Sequence, residues 1–201
     1  MLVTLDGPSG IGKTTLTEML AKKLEAKAIP AIAVHTPTKS DIGQLARNGT
    51  YSFNAHTLSC LAAADRYHND TDTVRPALEK GTVVICDRYI PSSLVLDSLD
   101  GVEPGFTWGL YQAITMPTLS LLLFGSPELC LQRATMRGNY SRFHAQDVSK
   151  EIGEMERFRV VCAWLQDNTT YPVRPFDIGT KSANEVADDL IEIILSSKGA
   201  N

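Results

Sequence analysis

Residues Gly7 to Thr14 read G-P-S-G-I-G-K-T and fit the pattern G-x-x-x-x-G-K-[ST]. That pattern works only as a turn between a strand and a helix, so it constrains the fold before any composition is considered. A short apolar run, Met1-Leu-Val-Thr-Leu5, precedes it, and Leu16, Met19, Leu20 and Leu24 follow at helical spacing. Glycines at 7, 10 and 12, with Pro8, Ser9 and Ile11 between them, let backbone N–H groups turn inward on phosphate oxygens. Lys13 would reach the outer phosphates of a nucleoside triphosphate, and the Thr14 hydroxyl can complete a Mg²⁺ shell. Thr15 opens the helix behind the loop, whose dipole and unpaired amides favour anions.

A chain of 201 residues suits one domain, 1–201, that buries roughly 70% of its unfolded surface without a disulfide or metal staple. The net charge of −4 and pI of 5.6 exclude a general field for nucleic acid or an anionic membrane, so anion binding has to be local. Cys60, Cys86, Cys130 and Cys162 form no C-x-x-C pair and sit in apolar surroundings, which predicts four buried free thiols. Only four residues separate Met1 from Asp6, too few for a signal peptide, and no apolar run reaches spanning length. These features predict a reducing, cytoplasmic compartment.

Strand-like and helix-like stretches alternate with no long linker and no internal repeat, the pattern of an α/β fold. Strands are predicted near 1–6, 31–35, 82–86, 118–124 and 171–177, each too continuously apolar for a wet face, in a parallel sheet covered on both sides. Helices are predicted near 13–27, 52–68, 70–80, 105–114, 127–136 and 148–168. A last helix is marked by a Ser182–Glu185 capping box and a stripe of Val186, Leu190, Ile193 and Ile194. Pro172 and Pro175 remove donors from the fifth strand, which makes it an edge.

Ligands of open parallel sheets lie beyond the carboxyl ends of the strands. Asp87-Arg88-Tyr89 follows the third strand. There an acidic residue can hold Mg²⁺ through water or orient an attacking oxygen, and Arg88 offers a planar fork for a second phosphate. Past the fourth strand come Arg133, Arg137 and Arg142. The first two are four apart on one helical face, where like charges repel unless an anion sits between them. A flap over 137–147 could close on a triphosphate and exclude water.

These stretches resemble the thymidylate kinases, nucleoside monophosphate kinases of the P-loop class, along nearly the whole chain. The matching segments are Asp6–Thr15, Ala64-Asp-Arg66, Pro76–Gly81, Asp87–Ser93 and Arg133–Arg142. The resemblance implies a three-layer α/β P-loop fold with a five-stranded parallel sheet and a short lid. It implies MgATP as donor, a nucleoside monophosphate as acceptor, and a homodimer. In that family's terms Arg88 bridges donor and acceptor phosphates, Arg66 meets the pyrimidine base, Arg137 and Arg142 are lid arginines, and Arg133 belongs to the ATP side. Lys39 stands near an arginine that holds the acceptor phosphate, and Ser92 falls within the acceptor stretch.

Departures from the family cluster on the acceptor side. Ala62 stands where thymidylate kinases carry a phenylalanine that stacks on thymine, four residues before Arg66. Stacking on a base is worth roughly 1–3 kcal/mol, so thymine binds poorly unless Tyr67, Phe106, Trp108, Tyr111 or Tyr140 supplies a ring. Leu96 and Asp97 replace a tyrosine and glutamine, and an ionised carboxylate only accepts hydrogen bonds, so Asp97 favours an acceptor with amino or hydroxyl donors. Thr36-Pro-Thr-Lys39 replaces an Arg-Glu-Pro-Gly run. Two acceptors are therefore open: dTMP or a close pyrimidine nucleotide, or a different small metabolite. A nucleotide-sensing switch is the other class, but the guanine-reading Asn-Lys-x-Asp motif is missing and a switch has no use for a second phosphate site.

Overall fold

A computed structural model describes residues 1–138 and 147–198, the side chain of Arg137 apart. Five parallel strands, β1 (Leu2–Asp6), β2 (Ala31–His35), β3 (Val83–Asp87), β4 (Leu119–Phe124) and β5 (Val173–Asp177), form one sheet in the order β2-β3-β1-β4-β5. Every residue of β1, β3 and β4 is buried. Side chains alternate between faces along a strand, so full burial means that helices cover both sides of the sheet.

The outer strands depart from expectation. On β5, Arg174, Pro175 and Asp177 are exposed, and β2 is only partly buried, so neither is covered throughout. Each has one neighbour, and the edge position inferred for β5 from its prolines is the observed one.

Helix α1 (Lys13–Glu25) packs on α9 (Ala183–Lys198) and against β2 and β3. Further along the sheet, α8 (Val148–Asn168) packs on α5 (Ile90–Leu99), α7 (Pro127–Arg137), β4 and β5. Met155, Phe158, Cys162 and Leu165 recur at three- and four-residue steps on the buried face of α8. The capping box of α9 is present: Ser182 N donates to Glu185 Oε2 at 2.8 Å, and Glu185 N to Ser182 Oγ at 3.3 Å.

The helical stretch after β2 is more divided than its sequence suggests. It comprises α2 (Asp41–Asn48), a 3₁₀ turn (Gly49–Tyr51), α3 (Ala55–Asn69), a π turn (Asp70–Val74) and α4 (Arg75–Glu79). Helix α6 covers Pro104–Leu110. Cys86, Cys130 and Cys162 are buried free thiols, whereas Cys60 is exposed, which corrects the expectation for that residue. Among the described residues no helix is long and apolar enough to cross a membrane.

Candidate active site

The sheet register builds the site. β1 lies between β3 and β4, with Leu5 opposite Asp87, and Arg88 N donates to Leu5 O at 2.9 Å. The carboxyl ends of β1 and β3 therefore deliver the glycine-rich loop and the Asp87-Arg88 pair to the same crevice, where the strand order reverses.

The loop folds as its glycines require. Gly10 has φ +78°, and a Cβ there would lie 1.9 Å from the Cys130 carbonyl oxygen, so α7 approaches too closely for any side chain. Gly12, at φ +104°, enters α1, which begins at Lys13, where the helix predicted near 13–27 starts. No side chain caps α1 and no acidic residue sits in its first turn. Side chains do cap α2, α3, α7 and α8, through Ser40, Asn54, Ser126 and Asp147. Open amides at the start of α1 suit an anion.

Lys13 folds back onto the loop, donating from Nζ to the carbonyls of Gly7 and Pro8, both at 2.8 Å. Burial first, then the positive charge of Arg88, lowers its pKa to about 7, against the pull of Asp87, Glu154 and Asp6. A polyphosphate beside Nζ would favour the charged form again.

Thr14 Oγ1 donates to Asp87 Oδ2 at 2.5 Å, and His35 Nδ1 lies 3.5 Å from the same oxygen. Burial would raise the Asp87 carboxyl, but His35, the charges of Lys13 and Arg88, and the Thr14 hydroxyl outweigh it and bring it to about 2. The other oxygen, Oδ1, is buried without a partner. An ionised carboxylate with a spare oxygen beside a threonine hydroxyl is a hard-oxygen set that suits Mg²⁺.

Arg88 has φ +70°, a left-handed conformation rare for a non-glycine residue and costly unless its surroundings enforce it. Three contacts do so. Asp6, fully buried at the end of β1, accepts Tyr89 N at 2.8 Å and Ser92 N at 3.0 Å through Oδ1, capping α5. Arg66 Nη1 donates to Arg88 O at 3.0 Å, and Thr36 Oγ1 to the same oxygen at 3.1 Å.

A cavity of about 400 Å³ opens beside this constellation. Ser9, Thr14, Asp87 and Arg88 line its loop end, while Leu58, Ala62, Arg66, Ser92, Leu96 and Asp97 line the rest. Leu58, Ala62 and Arg66 share one face of α3. Arg66 is buried, its guanidinium 4.9 Å and 5.5 Å from the ring centroids of Tyr89 and Tyr111, with Nη2 3.4 Å from Ser93 Oγ. Asp97 Oδ2 already accepts Thr107 Oγ1 at 2.8 Å; burial first raises its carboxyl, and that hydroxyl opposes the rise.

Several predicted residues do not reach the cavity. Lys39 is exposed and outside its lining; Arg47 of α2 lines it instead, with Nη2 on Pro37 O at 3.0 Å. Of the rings offered as substitutes at position 62, Tyr111 is core, with its hydroxyl on Ser93. Trp108 packs on Trp164 and Tyr171, Phe106 on His56, and Tyr67 binds Ala113 N. None of these four lines the cavity. Arg133 is exposed on α7. Tyr140, Arg142 and most of the 137–147 flap lie outside the described residues, as does the Arg137 side chain.

Sequence reading missed Arg47, His35 and the capping role of Asp6. His35 closes β2 directly opposite Asp87, a register no local pattern announces. Asp6 was visible beside the loop, but its partners lie 83 and 86 residues away.

The sequence model of the family described as thymidylate kinase matches residues 5–169. A probable thymidylate kinase of Pyrococcus abyssi is 34% identical over 96% of this chain and 94% of its own length. The thymidylate kinase of an Exiguobacterium strain is 30% identical over 73% of this chain and 74% of its own. The solved thymidylate kinase of Candida albicans superposes with a TM-score of 0.76 over all of this chain and 93% of that one, at 19% identity, a likeness of fold. With the phosphate loop, the sheet order and these matches in agreement, the chain belongs to the thymidylate kinase family.

Proposed function

We propose that the chain transfers the γ-phosphoryl group of ATP to the phosphate of dTMP or a closely related pyrimidine nucleoside monophosphate. The observation that carries this reading is that the loop residues Ser9 and Thr14 and the Asp87-Arg88 pair line one continuous cavity. A donor held by the loop and an acceptor in the cavity thus meet end to end.

The uncapped amides of α1 and Lys13 bind the donor's outer phosphates. Arg88, with no hydrogen-bonding or ionic partner for its side chain among the described residues, and Arg47 hold the acceptor phosphate in line. Thr14 and Asp87 would hold Mg²⁺, which supplies neutralisation of charge on the donor phosphates. Arg133, Arg137 and Arg142 would add cations from the lid side. Positioning and electrostatics supply most of the acceleration, since phosphoryl transfer asks little covalent chemistry of the protein. Arg66 supports the base end while Leu58, Ala62 and Leu96 give it an apolar wall. A homodimer and a cytoplasmic location complete the reading.

ADP release over dTMP, dUMP, CMP and their nucleosides tests it. Release that requires a pyrimidine monophosphate supports the reading. ATP hydrolysis indifferent to any acceptor, or no turnover on any monophosphate, would refute it.

A further inference from the structure

Behind the loop lie two carboxylates with no part in the scheme above. Both are on α8. Glu154, 5% exposed, gives Oε1 to the Ser9 N–H at 3.2 Å, a contact between residues 145 apart in sequence. Glu151, one turn earlier, is fully buried and neither of its oxygens has a hydrogen-bond partner among the described residues. Ser9 is also a lining residue of the cavity, beside Thr14 and Arg88. The next residue, Gly10, is pressed against the Cys130 carbonyl of α7. Residues 9 and 10, where the loop meets the cavity, are thus held by α8 through a hydrogen bond and by α7 through close packing.

We propose that Glu154 is a positioning residue for phosphoryl transfer, holding Ser9 from behind and so setting the seam between donor loop and acceptor cavity. A carboxylate accepting a main-chain N–H is among the stronger hydrogen bonds. Ser9 lines the cavity proposed for the acceptor, so a shift of the loop there displaces donor relative to acceptor. The transfer role rests on the kinase reading; the contact itself does not.

The experiment compares Glu154→Gln, which keeps shape and acceptor, with Glu154→Met, which keeps volume and lacks the acceptor. The readouts are kcat, KM for ATP and for dTMP, melting temperature, and amide hydrogen exchange across 7–12. Glu154→Met should exchange faster in that segment and lose about 100-fold in kcat, the scale of a 1 Å misplacement, with KM for ATP moving less. Glu154→Gln should restore both. Slow Ser9 exchange in the wild-type protein without nucleotide tests the contact with no substitution at all. Wild-type kcat and exchange in Glu154→Met, or a Glu154→Gln as impaired as Glu154→Met, would overturn the proposal. Wild-type protein inert toward every monophosphate would instead refute the kinase reading, and exchange alone would then decide whether Glu154 holds the loop.

Discussion

Arg66 donates from Nη1 to the main-chain carbonyl of Arg88 at 3.0 Å, so one buried guanidinium holds the left-handed backbone of the other arginine. A lysine keeps the charge but not the fork that reaches Arg88 and Ser93 together. Arg66→Lys should fold and lose about 100-fold in kcat/KM, because Arg88 is displaced. Steady-state kinetics beside a thermal melt checks this; unchanged turnover would leave Arg66 with no role in holding Arg88.

Burial of Lys13 opposes its charged form. Its folded pKa of about 7 lies below the value of about 10.4 for a free lysine, so between these values the unfolded chain binds more protons. Stability of the empty protein therefore rises with pH across that window, and the burial penalty is largest below pH 7. Lys13→Met should raise the melting temperature of the nucleotide-free protein at pH 6 while lowering kcat by about 10²–10³. A lowered melting temperature would contradict the burial argument.

Glu151 has the opposite sign. Burial first, then the charge of Glu154, pushes its carboxyl up to about 7, with Lys13 opposing. The folded protein keeps a proton that the unfolded chain gives up near pH 4.3, so stability falls as pH rises between these values. Glu151→Gln should melt higher than wild type at pH 8, with the gain shrinking toward pH 4.5. Melts across that range, with a gain that does not depend on pH, would place the effect elsewhere.

Among the described residues no ring lines the apolar end of the cavity, where Ala62 stands beside Leu58 and Leu96. Ala62→Phe should lower KM for dTMP by about five- to more than a hundredfold, the worth of stacking at roughly 1–3 kcal/mol. A KM that rises instead would mean that the cavity is shaped for a bulkier acceptor.

The parts of the site that sequence reveals are those decided within a few residues. The loop is legible because its glycines answer to positive φ angles set inside one turn, and Asp87-Arg88 because it ends a strand that reads as buried. Helix α2 is not legible: it has eight residues and contains Gly43, whose Cβ would lie 2.7 Å from Asp65 Oδ1 of α3, a constraint imposed by tertiary contact. Helix α5 opens on Ile-Pro-Ser-Ser and mixes aliphatic residues with Asp97 and Ser98, so its periodicity is faint, and its cap comes from Asp6 on β1. Arg47 enters the site on α2, and His35 through the β2–β3 register. The aromatic candidates fail for the reverse reason, since Trp108 and Tyr111 satisfy the core first.

The central claim is that Arg88, held in place by β1, Arg66 and Thr36, neutralises charge on the phosphoryl group as it passes from donor to acceptor. The most direct test is single-turnover transfer from ATP to dTMP by Arg88→Ala, beside its affinity for a non-hydrolysable ATP analogue. Transfer should fall by about 10³-fold or more, the scale of an arginine acting on a migrating phosphoryl group, with analogue affinity little changed. Near-normal transfer by Arg88→Ala would contradict the account.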